Sequence, residues 1–130
     1  MKAFRNPGNI HSPLAAYTHQ IEVSGNTRWL VLSGQLGKDE KGFVPTDPMK
    51  QIEIAIDNIA KNLHAANMNM EDLVKVVFYL VGDIDSARRR EVIAKAFNGH
   101  EPCMTMLYVT ALADSAYKVE IDAWACADIE

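Results

Sequence analysis

Cysteine is nearly absent from this chain, and the two that occur, Cys103 and Cys126, form no CxxC pair. Neither a disulfide framework nor a thiolate metal cluster is expected, and a reduced, cytoplasmic protein is the simplest reading. The two thiols would face each other only if the last two strands paired as a tight hairpin, a register the sequence leaves open. Positive charge is also short. Thirteen Lys and Arg against 17 Asp and Glu leave a net charge of −4, so nucleic acid finds no electrostatic footprint. No apolar run approaches a membrane span, and the opening residues MKAFRNPGNIHSP contain no signal-peptide core. His11, His19, His64 and His100 stand at no metal-ligand spacing. A P-loop, a dinucleotide fingerprint and a G-x-S-x-G elbow are all missing. No metal, cofactor, membrane or nucleic-acid partner is therefore expected.

What is present is an ordinary globular composition, 48% hydrophobic and 23% charged over 130 residues. That length reads as one domain over residues 1–130, able to bury about two thirds of the surface its unfolded chain exposes. No repeat, linker or low-complexity segment interrupts it.

The end of the chain is the most patterned part. In KVEIDAWACA, Val119, Ile121, Ala123, Ala125 and Ala127 share one strand face, while Glu120, Asp122, Trp124 and Cys126 share the other. The preceding strand, from Cys103, puts Met104, Met106 and Tyr108 on one side and Thr105 and Leu107 on the other. It reads as apolar on both faces, as if covered twice.

Upstream, an edge strand is predicted around Ala3–Arg5, and weak alternation over His19–Ser24 ends at Gly25-Asn26. The run Trp29–Leu36 reads as a buried strand, with a hairpin turn over Ser24–Thr27 joining it to the previous one. Asp47 is a good N-cap, Pro48 suits the first helical turn, and Met49, Ile52, Ile56, Ile59, Leu63 and Ala66 form an unbroken helical stripe ending near Asn67. Leu73–Val81 reads as a central strand. A second helix starts at Asp85 or Ser86, turns Val92, Ile93, Ala96 and Phe97 inward and closes at Asn98-Gly99. The order is strands, helix, strand, helix, two strands: an α+β fold with two helices for one sheet. With both helices on one face, the other is left for self-association, with two Met, a Tyr and a Trp near it.

This order, together with LSGQLGKDEKGFVPTDP, MEDLVKVVFYLVG, Pro102 to Val109 to Leu112 and KVEIDAWA, resembles the Rid (YjgF-type) family from about Asn6 to Ala127. The resemblance implies a chorismate-mutase-like fold, with a single mixed sheet and two helices packed on one face. It also implies a homotrimer with clefts between subunits, and hydrolysis of small imines or enamines to a keto acid and ammonia. That chemistry needs a cation for the substrate carboxylate and a carboxylate to hold a water. By the resemblance Glu120 holds the water, Tyr17 lines the cleft, and Ser33 and Gly34 lend it their backbone. The family's carboxylate-anchoring Arg falls at Met104, a small Cys at Met106, and a second-helix Asn at Glu91. Methionine cannot anchor a carboxylate, so anchoring is changed here. Arg88, Arg89 and Arg90 read two ways: as replacement anchors, or as a solvated face balanced by Asp83, Asp85 and Glu91. The alternative function is a non-catalytic small-molecule-binding trimer. An RNA-cleaving role claimed for some relatives is disfavoured by net acidity and by the lack of a paired-histidine acid–base.

Overall fold

The computed structural model describes residues 1–129. Its elements are β1 (Lys2–Arg5), β2 (Gln20–Val23), β3 (Thr27–Leu36), α1 (Pro48–Ala65), β4 (Leu73–Leu80), α2 (Ser86–Phe97), β5 (Cys103–Tyr108) and β6 (Val119–Asp128), with a 3-10 turn at Met70–Asp72. Four strands form a mixed sheet in the order β3-β6-β4-β5. β6 runs antiparallel to both of its neighbours, and β4 pairs parallel with β5. Both helices lie on one face. Their inward residues, among them Ile52, Ile59, Leu63, Ile93 and Phe97, share a core with Val76, Phe78, Leu80, Val119, Ile121 and Ala123.

α1 forms where the pattern places it. The Asp47 carboxylate accepts from Met49 N at 2.9 Å, Pro48 opens the first turn, and Met49, Ile52, Ile56, Ile59 and Leu63 are all buried. Asn67 takes the left-handed conformation at φ 55°, and the Arg28 guanidinium donates to Ala66 O and Asn67 O at 2.7 and 2.9 Å. A cation there complements the negative end of the helix dipole. One polar residue lies within the buried stripe. Gln51 donates to Pro45 O and Ala116 O at 2.8 and 3.0 Å and accepts from Lys118 N at 2.9 Å, tying two loops to α1.

Two expectations are corrected, and a pairing the sequence left open is settled. The Ser24–Thr27 turn does not close a hairpin between β2 and β3: β2 pairs instead with β1, Lys2 opposite Val23 and Arg5 opposite Gln20, in a separate two-stranded ribbon. Arg5 reinforces it across the strands, reaching Gln20 at 3.0 Å and Glu22 at 2.6 Å. The last two strands are not neighbours either. β4 lies between β5 and β6, and the connection is latched at its end by Val109 N to Leu80 O and Val81 N to Lys118 O. Cys103 and Cys126 are therefore free thiols on non-adjacent strands. Finally, β5 is an edge strand covered on one face only, with Thr105 and Leu107 exposed.

No helix among the described residues is long and apolar enough to cross a membrane.

Candidate substrate cleft

Glu120 sits opposite Tyr79 on β4 and Leu36 on β3, on the sheet face away from the helices. Its carboxylate has a made place. Between Leu32 and Gln35 the β3–β6 register slips, leaving an extra residue around Ser33-Gly34. The Glu120 side chain lies across this bulge: a Cβ built on Gly34 would fall 2.2 Å from Oε2 and 2.7 Å from Cγ. Only glycine leaves room for the carboxylate there. α1 fixes the bulged strand from behind, as Asn58 donates to Leu36 O and Lys38 O at 3.1 and 2.9 Å and Asn62 to Gln35 Oε1 at 3.1 Å. Two residues on, Asp122 accepts from the Tyr79 hydroxyl at 3.2 Å, while its other oxygen is buried without a partner. Desolvation first, and the Asp122 charge second, push the Tyr79 hydroxyl above its ordinary value. The same sheet face carries exposed apolar side chains further along β3: Trp29, opposite Cys126, is 54% and Val31, opposite Trp124, 66% exposed.

Met104 and Met106 belong to the opposite face. They pair with Val76 and Phe78, whose side chains are in the core, so both thioethers point to the helix side. There they form one wall of a cavity of about 290 Å³. Leu14 to Tyr17 form a second wall, and Arg89, Arg90, Ile93 and Ala94 of α2 the third. The volume is close to the lower bound of small-molecule sites, about 300 Å³. The segment carrying Tyr17 is pinned to the edge of the sheet, with Thr18 N donating to Pro102 O at 3.2 Å and its hydroxyl to Glu101 O. The Tyr17 hydroxyl accepts from Leu14 N at 3.2 Å, closing the loop on itself.

The family model described as endoribonuclease L-PSP matches residues 9–127, nearly the whole described chain. The chain belongs to this family, the Rid (YjgF/RutC) proteins. A RutC family protein of Pyrococcus horikoshii is 31% identical over 117 residues, covering 88% of this chain and 90% of that protein. A mouse protein named 2-iminobutanoate/2-iminopropanoate deaminase is 27% identical over 112 residues, covering 85% of this chain and 80% of its own. Among solved structures, YyfB of Yersinia pestis, a Rid-family protein, superposes with a TM-score of 0.85 at 26% identity, covering 97% of this chain and 98% of that one. The mixed sheet with two helices on one face is thus the fold of the Rid family.

Within that fold the expected cleft residues separate into two groups on opposite sheet faces. Glu120, Ser33 and Gly34 gather on the open face, and Tyr17, Met104 and Met106 line the cavity on the helix face. Glu91 joins neither. It turns toward a wider groove of about 610 Å³ between the helices, lined by Glu53, Asp57, Glu91 and Lys95, and does not line the cavity of Tyr17, Met104 and Met106. The reason is helical phase: Arg89, Arg90 and Ile93 occupy the face toward the cavity and leave Glu91 on the opposite side. The two Met expected near the open face are likewise on the covered one. The sequence reading also missed a histidine pair. His11 and His19 meet edge-on with ring centroids 4.9 Å apart, and His19 stands 5.5 Å from Tyr17. Each ring gives an N–H to a carbonyl, His19 Nε2 to His11 O and His11 Nδ1 to Ser12 O, at 2.7 and 2.9 Å. No spacing rule announces a contact made by a loop folding back on itself.

Proposed function

We propose that this protein hydrolyses the C=N bond of a small imine or enamine in a cleft where Glu120 of one copy faces the Tyr17–Met104–Met106 cavity of another. The observation that carries the reading is the division of the matched residues. Glu120 is seated on one sheet face and the cavity lies on the other, so a single copy presents half a site at each. The open face, with Trp29, Val31 and Leu107 exposed, is of the kind buried when copies associate. A closed homotrimer, which the family resemblance implies, would bring each Glu120 to a neighbour's cavity.

In that cleft the Glu120 carboxylate takes a proton from a bound water as its oxygen attacks the imine carbon. The proton passes to nitrogen, and the tetrahedral adduct collapses to a carbonyl compound with loss of ammonia. An enamine enters after tautomerising to its imine. The name of the mouse relative points to 2-imino acids as the class. The departure at Met104 supports a substrate anchored differently from the one the family Arg holds.

The test is ammonia release above the spontaneous rate, from imines generated in place by an amino-acid oxidase. Glu120→Gln is expected to lower turnover by about 10²- to 10⁴-fold. A parent protein that binds keto acids but releases no ammonia would establish the binding-module reading, which Met104 favours. Since His11 and His19 do pair, the case against RNA cleavage rests on the net charge of −4 and on the commitment of one nitrogen of each ring to a carbonyl. Salt-dependent RNA cleavage would reverse it.

A further inference from the structure

The cavity beside β5 is lined by two arginines and by no carboxylate. Arg89 and Arg90 line it, and among the described residues neither makes an ion pair. Arg88 takes the other course and turns away, 3.7 Å from Asp47. Arg89 is held in place: Nη1 donates to the Tyr108 hydroxyl at 2.8 Å, which lies 3.5 Å from Ile84 O. Its Nε is buried and has no acceptor. A buried cationic N–H without a partner is costly, and Arg89 is the fourth residue of α2, in the first turn, where positive charge opposes the helix dipole. Neither feature serves the helix, and an anion held against Arg89 would offset both. The rest of the wall is apolar, with Leu14, Ile93, Met104 and Met106 facing the same space.

We infer that Arg89, with Arg90 at the rim, anchors the substrate carboxylate, and that the substrate is a 2-imino acid whose apolar side chain, larger than methyl, packs on Met104 and Met106. With Nη1 engaged by Tyr108, Nε and Nη2 are the donors left for the carboxylate, a planar pair that lysine would not reproduce. Two unbranched thioethers on one strand face make a wall that adapts to branched or aromatic groups. The imine rests on the hydrolase reading above; the carboxylate and side-chain subsites rest on the cavity alone.

Calorimetric titration with stable 2-oxo acids tests this without turnover, using 2-oxopropanoate, 4-methyl-2-oxopentanoate and the neutral amide of the latter. The parent is expected to bind the branched acid at least tenfold more tightly than 2-oxopropanoate, since each buried CH₂ is worth about fourfold. Arg89→Met, which keeps the stem, is expected to weaken the acid by about ten- to a hundredfold and leave the amide unchanged. Tyr108→Phe, which frees the fork without removing its charge, is expected to weaken the acid by a few fold, and it stands in if Arg89→Met fails to fold. Equal binding of acid and amide, a preference for 2-oxopropanoate, or full acid affinity in the Arg89 or Tyr108 variant overturns the proposal. Selective binding without ammonia release leaves this inference standing and sinks the hydrolase. Ammonia release that is unchanged in Arg89→Met does the reverse.

Discussion

Gly34 and Glu120 form a pair whose coupling is set by geometry. Replacing Gly34 by Ala adds a Cβ 2.2 Å from Glu120 Oε2, 2.6 Å from Cδ and 2.7 Å from Cγ. Because Cγ is overlapped as well as the tip, rotating the carboxylate is not enough, and the whole side chain must leave the bulge. The backbone at Gly34 is not in the positive-φ region, so alanine itself is unstrained there. In the parent background Gly34→Ala is therefore expected to cost about 1–3 kcal/mol, the usual range for overpacking. In a Glu120→Ala background the obstacle is gone, and the same change should be neutral or stabilise by about 0.4–1 kcal/mol through lost unfolded-state entropy. Urea unfolding of the four proteins at one fixed concentration measures the cycle, the concentration being held because association contributes to stability. The coupling should exceed about 1 kcal/mol. Additive effects would show that the carboxylate does not occupy the bulge, and the account of how Glu120 is positioned would fall with it. The same eviction should reduce turnover by about the factor Glu120→Gln does, 10²- to 10⁴-fold.

Three further outcomes are expected. Gln51→Leu removes one side chain that satisfies Pro45 O, Ala116 O and Lys118 N, and should cost about 2–4 kcal/mol in the same unfolding assay. Tyr79 holds its proton more tightly folded than unfolded, so its contribution is complete below the ordinary value of 10.0 and is lost as pH rises through the folded value. Above pH 10.0, parent stability should fall more steeply than that of Tyr79→Phe, and one tyrosine should titrate late in tyrosinate absorbance. Trp29→Glu with Val31→Glu places charge on the exposed apolar sheet face. Sedimentation should then show a trimer for the parent and a folded monomer for the variant.

The legible parts of the sequence were those where one period dominates. The α1 stripe from Met49 to Leu63 and the two faces of β6 each follow a single repeat set by burial on one side, and the structure keeps both. Non-local pairing was not legible. Nothing in Gly25-Asn26 says that β2 will pair with β1 rather than β3, and nothing in β5 or β6 says that β4 will come between them, because those choices depend on the whole sheet. The site shows the same limit. Met104, Tyr17 and Glu120 could be named from the family pattern. That the first two and the third lie on opposite faces follows only from strand order and register. Arg89 was one of three adjacent arginines until helical phase and the Tyr108 hydroxyl singled it out.

The central claim is that Glu120 of one copy completes the cavity of another, and subunit complementation tests it most directly. One partner carries Glu120→Gln. The other carries Ala94→Trp, which plugs the cavity from an exposed position on α2 without touching the core. Each alone should release little ammonia. Mixed by co-expression in equal amounts, random assortment makes a site intact with probability one half times one half, so about a quarter of parental activity should return. No recovery in demonstrably mixed oligomers, beside an active parent, would place Glu120 and the cavity it serves within one chain and contradict the account.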